Sequence, residues 1–252
     1  MAHYSGLRHR FIILNAPRTG SNMLCTVLNS HPEILCHHEI FNPHLIGYAR
    51  HLQNTSFSLG TMEERERDPV EFLSRVWKAP LSHPVVGFKL CWRQHETIFR
   101  EALKDTGLKK IVLQRRNRIK SFVSLLLARQ TGDWVVYTES AQPQERVKVV
   151  VDIAALYENI AYNDQYYAEI EAATRASHQS LLSLSYEDIL TFEGRLRLLK
   201  FLEVSPLDPS CLKEETIKLN AYALPDLVDN FEELASALRG TELESELYNG
   251  QL

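Results

Sequence analysis

The sequence lacks the features that define several broad classes of protein. No apolar run approaches the ~18 residues of a membrane span, and no apolar core follows the charged residues at the N-terminus as in a secretory signal. We therefore expect a cytoplasmic protein. Positive charge is not in excess, because 28 Lys and Arg stand against 32 Asp and Glu, for a net charge of −4. This balance argues against wholesale binding to nucleic acid or anionic membranes, so local basic groups must hold any anionic ligand.

Cysteine is scarce, and its spacing does not suggest a disulfide or zinc framework. The four cysteines are scattered without paired spacing: Cys25, Cys36, Cys91 and Cys211. We expect buried free thiols in a reducing compartment. Five of the ten histidines lie between residues 31 and 51, but they include no helical His-x-x-x-His pair, so we predict no metal.

What the sequence contains is an alternation of short apolar runs and amphipathic stretches, with no repeat or low-complexity linker. Five apolar runs predict strands, at residues 11–14, 34–36, 85–90, 110–114 and 181–184. Amphipathic stretches predict helices at residues 23–28, 69–78, 96–104, 118–129, 144–176, 192–202 and 226–238. Residues 37–64 read as an irregular surface region. The alternation predicts an α/β fold in a single domain of residues 1–252, a P-loop-like three-layer α/β/α sandwich with a central, mainly parallel sheet.

The loop between the first strand and the first helix is the strongest functional signal. A helix N-terminus presents unpaired backbone N–H groups and the positive end of its dipole, so a glycine-containing loop that leads into one makes an anion site. The loop residues add a cation and short polar side chains: Pro17, Arg18, Thr19, Gly20, Ser21 and Asn22. The loop lacks the Gly-Lys-Ser/Thr ending of nucleotide triphosphatases. The sequence therefore predicts a phosphate or sulfate site here.

A second basic segment follows the strand at residues 110–114. Arg116 lies at the end of this strand, and Ser124 comes eight residues later, about two helical turns away, so both can face one ligand. An Arg fork with a hydroxyl suits a phosphate monoester. Alternatively, the basic residues decorate a solvated helix start. Because positive charges oppose the dipole there, this cluster requires an anion or nearby carboxylates.

These two loops and several further segments resemble those of sulfotransferases that use 3′-phosphoadenosine-5′-phosphosulfate (PAPS). The resemblance is to the bacterial group that includes the trehalose and nodulation-factor enzymes. It extends to residues 87–92, 130–134, 186–188, 218–220 and 230–232, and departs at Arg118, where many members have Pro. It implies that residues 17–22 bind the 5′-phosphosulfate, that Arg116 and Ser124 bind the 3′-phosphate, and that Lys218 belongs to the same donor site. No metal is required.

Sulfuryl transfer to a hydroxyl also needs a base within hydrogen-bond reach of that hydroxyl. Glu39 follows the second strand, and the resemblance assigns it this role. Proximity to Arg18 should lower its pKa and desolvation should raise it, so we expect no net change. Arg18 is assigned to stabilise the leaving phosphate. Lys89 either touches the transferring sulfate, pairs with Glu39, or is simply exposed.

Other interpretations of these residues stay open. Glu39 is alternatively a structural partner of an arginine, and His37 or His38 is alternatively the base, since histidine suits proton transfer near neutral pH. His37, His38, Trp92 and Trp134 are predicted to contact the acceptor, although core filling explains the tryptophans equally well.

The acceptor is predicted to be a carbohydrate or another small molecule. The long helix at residues 144–176 offers surface for a homodimer contact. Two other functions remain as alternatives: a P-loop kinase-like nucleotide-binding protein, and a non-catalytic nucleotide binder.

Overall fold

The computed structural model describes residues 7–78, 82–138, 147–216 and 222–248 of the chain. Its centre is a sheet of five strands: β1 His9–Asn15, β2 Ile34–His37, β3 Val85–Cys91, β4 Leu108–Gln114 and β5 Leu181–Ser185. The strand order is β2-β3-β1-β4-β5, and every pairing is parallel. The predicted α/β fold with a mainly parallel central sheet is confirmed.

The described residues form ten α-helices around this sheet. In chain order they are α1 Ser21–Asn29, α2 Met62–Arg67, α3 Pro69–Lys78, α4 Glu96–Lys104, α5 Arg118–Thr131, α6 Ile153–Ala176, α7 Tyr186–Ile189, α8 Phe192–Leu202, α9 Leu224–Leu227 and α10 Phe231–Leu238. None of them is long and apolar enough to cross a membrane.

Strand β1 is buried on both faces, which explains its continuous apolar run. Phe11 and Ile13 pack into a core with α1 and α8, whereas Ile12 and Leu14 pack into a second core with α3, α4 and α6. A third core joins α5, the start of α6 and α10. The central position of β1 between β3 and β4 brings the loops after all three strands to one edge of the sheet. In open parallel sheets, ligands bind at this edge.

The region predicted to be irregular, residues 37–64, contains more structure than expected. Thr61 accepts a hydrogen bond from the Glu64 backbone, and the Glu64 side chain accepts one from the Thr61 backbone, so a complete capping box begins α2. Arg65 of this helix is buried, and it donates to the carbonyls of Ile40 and Leu45 at 2.8 and 3.0 Å. This charged stretch is therefore a helix that anchors the segment after β2.

Two predicted helices have different bounds in the structure. The described part of the 144–176 stretch becomes helical only at Ile153, because Val149 and Val151 pair with the segment around Val228 and Asn230 and Asp152 caps α6. The same pairing divides the helix predicted at residues 226–238 into α9 and α10. The four cysteines are free, as predicted, although only Cys25 and Cys36 are fully buried.

Candidate active site

The loop of residues 16–20 joins β1 to the N-terminus of α1. Gly20 occupies the N-cap position with φ of 85°, and no side chain caps the helix. An added Cβ at Gly20 would lie 2.4 Å from Cδ2 of Tyr186, so both the backbone angle and the space require glycine. The first turn of α1 contains no acidic residue. An uncapped helix start without a nearby acid on the same turn is suited to binding an anion.

Two guanidinium groups lie beside this loop. Arg18 donates from Nε to Ser124 Oγ at 2.9 Å and from Nη1 to the Trp134 carbonyl at 2.5 Å. Arg115 donates to the Arg18 carbonyl at 3.2 Å and stacks over the Tyr186 ring. Burial and the charge of Arg115 lower the pKa of Arg18 to about 10. Both guanidiniums thus donate their hydrogen bonds to neutral groups among the described residues, while the charge of Glu187 acts on Arg115 alone, and an anion in the loop would relieve their mutual repulsion.

Arg116 and Ser124, predicted to face one ligand, contact different partners in the structure. Ser124 is held by Arg18, whereas Arg116 Nη2 lies 2.7 Å from Asp188 Oδ1 and its side chain is 67% exposed. Arg118 pairs with Glu242 and Glu246. Carboxylates therefore neutralise part of the basic segment at the start of α5, as the alternative interpretation required, while Arg116 keeps enough exposure to reach a ligand.

Glu39 and Lys89 form a largely buried ion pair at this edge of the sheet. Lys89 projects from β3, is 2% exposed, and places Nζ 2.8 Å from Glu39 Oε1. The same ammonium donates to Asn22 Oδ1 at 2.6 Å and lies 3.4 Å from Ser21 Oγ. Lys89 therefore connects the carboxylate after β2 to the first turn of α1. Of the alternatives for Lys89, pairing with Glu39 is the one observed, and simple exposure is wrong.

The structure corrects the prediction that the pKa of Glu39 is unchanged. Burial alone would raise this pKa, but the charge of Lys89 and hydrogen bonds from Lys89, Gln94 and Asn42 lower it to about 2. Both amide groups donate to Glu39 Oε2 at 2.7 Å. The cation beside Glu39 is thus Lys89, whereas Arg18 points toward Ser124. At neutral pH, Glu39 is a fully hydrogen-bonded carboxylate.

The two neighbouring histidines differ in their surroundings. His37 is fully buried, accepts a hydrogen bond from the Ala49 backbone at 3.1 Å and stacks on Phe57. Burial and nearby histidines lower its pKa to about 3, so the ring is neutral and poorly suited to be the base. Because its ring is fully buried, the prediction that His37 contacts the acceptor is not supported by this structure. His38 places Nδ1 3.2 Å from Asn22 Oδ1, next to Lys89.

Trp92 and Trp134 differ in their packing and exposure. The Trp92 indole donates to Asn163 at 2.6 Å and contacts Tyr162, so it packs against α6. This packing matches the core-filling interpretation. Trp134 has a half-exposed side chain, and its carbonyl holds Arg18. Lys218 lies outside the described residues, so its predicted place in the donor site stays a prediction.

Several residues of the site were not predicted from the sequence. Gln94 and Asn42 hold Glu39, and Arg115 supports the anion loop. Tyr137 lies near Lys89, whose charge opposes the rise that burial causes in the pKa of Tyr137, and the Arg50 guanidinium stacks 4.2 Å from the Tyr137 ring centre. No sequence motif marks these residues, because strand order and loop packing bring them together. No group of three or more potential metal-binding His, Cys, Asp or Glu side chains occurs among the described residues.

No family model matches the chain. Nodulation protein H from Rhizobium tropici is 30% identical over 188 residues, which cover 71% of this chain and 69% of that protein. Nodulation protein H from Rhizobium meliloti strain 1021 is 28% identical over 194 residues, with 75% and 74% covered.

Two solved structures align with nearly the whole chain. A sulfotransferase from Alicyclobacillus acidocaldarius aligns with 95% of this chain and 96% of its own, at 17% identity and a TM-score of 0.49. A mouse sulfotransferase complexed with PAP aligns with 95% and 88%, at 12% identity and a TM-score of 0.42. On the strength of its sequence relatives, the chain belongs to the sulfotransferase family, in the group that contains nodulation protein H.

Proposed function

We propose that this sulfotransferase moves a sulfuryl group from PAPS to a hydroxyl group of a carbohydrate or another small molecule. The observation that carries the proposal is the position of the Lys89 ammonium, 2.8 Å from Glu39 Oε1 and 2.6 Å from Asn22 Oδ1 in the first turn of α1. The Lys89 ammonium thus lies between the Glu39 carboxylate and the N-terminus of α1, the proposed anion site. In-line transfer from an anionic donor to a hydroxyl needs these two groups on opposite sides of the transferring group.

On the donor side, the bond between sulfur and the bridging oxygen breaks, and its electron pair moves to the 5′-phosphate. Charge therefore grows on the phosphate oxygens as the transition state is reached. The backbone N–H groups of residues 19–22, the Ser21 hydroxyl and the Arg18 guanidinium are the proposed stabilising groups. Arg116, Ser124 and Lys218 are the proposed contacts of the 3′-phosphate.

On the acceptor side, a new bond forms between the hydroxyl oxygen and sulfur, and the hydroxyl proton moves to Glu39. A carboxylate with a pKa of about 2 is ionised at neutral pH but weakly basic. We propose that Lys89 turns partly toward the sulfuryl oxygens when the donor binds. Because this shares the positive charge with a second anion, the pKa of Glu39 rises and proton transfer becomes easier. Lys89 then stabilises the sulfuryl group and, at the same time, lowers the pKa of Glu39 less strongly.

Aromatic and charged groups around Arg18 and Lys89 favour a sugar-like acceptor. Trp134 is half-exposed next to Arg18, and Tyr137 with the stacked Arg50 lies toward Lys89. Partly exposed aromatic rings combined with charged groups suit a molecule with apolar faces and a rim of hydroxyls. A kinase is less favoured, because β4 leads into Arg115 and Arg116, where a magnesium-dependent enzyme needs an acidic residue.

Isothermal titration calorimetry separates these functions. Adenosine 3′,5′-bisphosphate, the desulfonated product, should bind more tightly than ATP with Mg²⁺, because the extra phosphate meets the second basic segment. Tighter binding of ATP with Mg²⁺ would refute the proposal. Tight binding of the bisphosphate without transfer to any hydroxyl in a broad acceptor panel would instead indicate a non-catalytic nucleotide binder.

A further inference from the structure

The hydroxyl group of Tyr167 lies between the carboxyl ends of β1 and β4. Tyr167 belongs to α6, and its hydroxyl accepts a hydrogen bond from the Ala16 backbone N–H at 2.8 Å. It donates to the Leu113 carbonyl, also at 2.8 Å. Burial raises the pKa of Tyr167, so the hydroxyl keeps the proton that it donates. Both hydrogen-bonding functions of this hydroxyl are therefore used on the backbones of two adjacent strands.

The two hydrogen bonds of the Tyr167 hydroxyl lie where the pairing between β1 and β4 ends. Asn15 and Leu113 are the last residues that pair β1 with β4. Beyond them β1 turns into the anion loop, while β4 continues to Gln114 and then Arg115. The Tyr167 hydroxyl takes the place of a direct bond between the two strands at the point where they separate. It satisfies the backbone groups that the separation leaves without a partner in the sheet.

We propose that Tyr167 is a positioning residue for sulfuryl transfer, because its hydroxyl holds the two strands apart and sets the direction in which residues 16–20 leave β1. This inference rests on the proposed function, in which that loop binds the 5′-phosphosulfate. Tyr167 does not touch the reacting atoms. It acts through Ala16, the first residue of the loop, and through Leu113, two residues before Arg115.

The surroundings show what the loss of the hydroxyl would do. A cavity of about 170 Å³ is lined by Tyr167, Ala16, Thr19, Arg115 and Arg116, among other residues. In a Tyr167→Phe variant, water from this cavity can reach the Ala16 N–H. Alternatively, the Ala16 N–H can turn toward the Leu113 carbonyl and bring the ends of β1 and β4 together. Either change alters the loop and leaves the hydrophobic packing of the ring intact. Tyr167 bonds directly to the first residue of the loop, whereas Arg116 lies three residues beyond Leu113, so the expected defect is larger at the 5′-phosphate site than at the 3′-phosphate site.

Tyr166 provides a matched control on the same helix. It is buried, and its hydroxyl has no hydrogen-bond partner among the residues that the structure describes. Tyr166→Phe therefore removes the same atom from the adjacent position without removing a bond to the loop.

The test compares two nucleotides by titration calorimetry with the whole 252-residue chain. Tyr167→Phe should weaken binding of adenosine 3′,5′-bisphosphate by at least about threefold, the effect expected from lost hydrogen bonds of ordinary strength. Binding of adenosine 3′-monophosphate, which has no 5′-phosphate, should stay within about twofold of the wild type. Tyr166→Phe should leave both affinities unchanged.

Equal weakening for both nucleotides would mean a general structural role and would overturn the inference, as would a smaller effect on the bisphosphate. Failure of the wild-type protein to bind either nucleotide would instead contradict the proposed function. Amide hydrogen exchange in the unliganded wild-type protein covers the case in which Tyr167→Phe does not fold. In the unliganded wild-type protein, the Ala16 amide should exchange as slowly as the interior amides of β1. Rapid exchange would overturn the positioning role.

Discussion

From the ion pair between Glu39 and Lys89 we predict how much the free energy of unfolding falls when the ammonium is removed. Lys89→Met keeps most of the side-chain volume on β3 but removes the ammonium that lies 2.8 Å from Glu39. Glu39 then remains as a largely buried carboxylate with only its amide partners, Asn42 and Gln94. Because burial opposes ionisation, the variant should lose stability at neutral pH.

The magnitude follows from the pKa of Glu39. This pKa lies at about 2 instead of the ordinary 4.5, and one pKa unit corresponds to about 1.36 kcal/mol, so the ionised form is favoured by about 3 kcal/mol. Removing one partner of a buried ion pair costs about 3 to 5 kcal/mol. We therefore expect Lys89→Met to lower the free energy of unfolding by about 3 kcal/mol at pH 7.

The assay is urea unfolding of four proteins: the wild type, Lys89→Met, Glu39→Gln and the double variant. The coupling energy between the two positions should be about 3 kcal/mol, with the double variant more stable than the sum of the single losses predicts. The pH dependence has a defined sign. A lowered pKa stabilises the folded state above the ordinary carboxyl pKa, and this stabilisation is lost as the pH falls from about 4.5 toward 2.

The stability difference between the wild type and Lys89→Met should consequently be largest at pH 7 and decrease below pH 4.5. Two results would refute the reasoning. One is additive losses in the double variant, which would mean that the two side chains do not interact. The other is a stability difference that is independent of pH, which would assign the effect of Lys89→Met to packing alone.

The remaining predictions concern the donor site. Arg116→Ala should weaken binding of adenosine 3′,5′-bisphosphate by about 1.5 to 3 kcal/mol, as expected for a charge-assisted bond, whereas Lys104→Ala at the opposite end of the sheet should not. Unchanged affinity in Arg116→Ala would mean that the second basic segment is misassigned. Gly20→Ala should weaken the same binding by at least about tenfold, because its φ is 85° and the added Cβ meets Tyr186. Wild-type affinity in Gly20→Ala would show that the loop does not hold the 5′-phosphate.

Local sequence patterns predicted the sheet and the loop that joins β1 to α1, whereas anion binding by that loop stays a prediction. The five apolar runs are dominated by residues that must be buried, and the loop from Pro17 to Asn22 is continuous in sequence, so no tertiary information is needed to recognise either. The helix α2 was missed although Thr61 and Glu64 form a capping box. This helix begins inside the region that was predicted to be an irregular surface, whereas its Arg65 is buried and donates to backbone carbonyls.

The sequence offered the pairing of Lys89 with Glu39 only as one of three alternatives and could not select it. Lys89 reaches Glu39 because β3 lies between β1 and β2, and the order of strands in a parallel sheet cannot be read from the positions of the strands along the chain. For the same reason, the pKa of Glu39 was wrongly expected to be unchanged. Local sequence also gave no signal for Tyr167, whose role depends on how α6 crosses the sheet.

Transfer of labelled sulfate tests the central claim most directly. The wild-type protein, incubated with PAPS labelled with ³⁵S and a panel of carbohydrate acceptors, should place the label on a hydroxyl group. Glu39→Gln should reduce the transfer rate by at least about 10²-fold, the lower end of the contribution of a general base. It should still bind adenosine 3′,5′-bisphosphate almost as tightly as the wild type does. Transfer at the wild-type rate by Glu39→Gln would contradict the account.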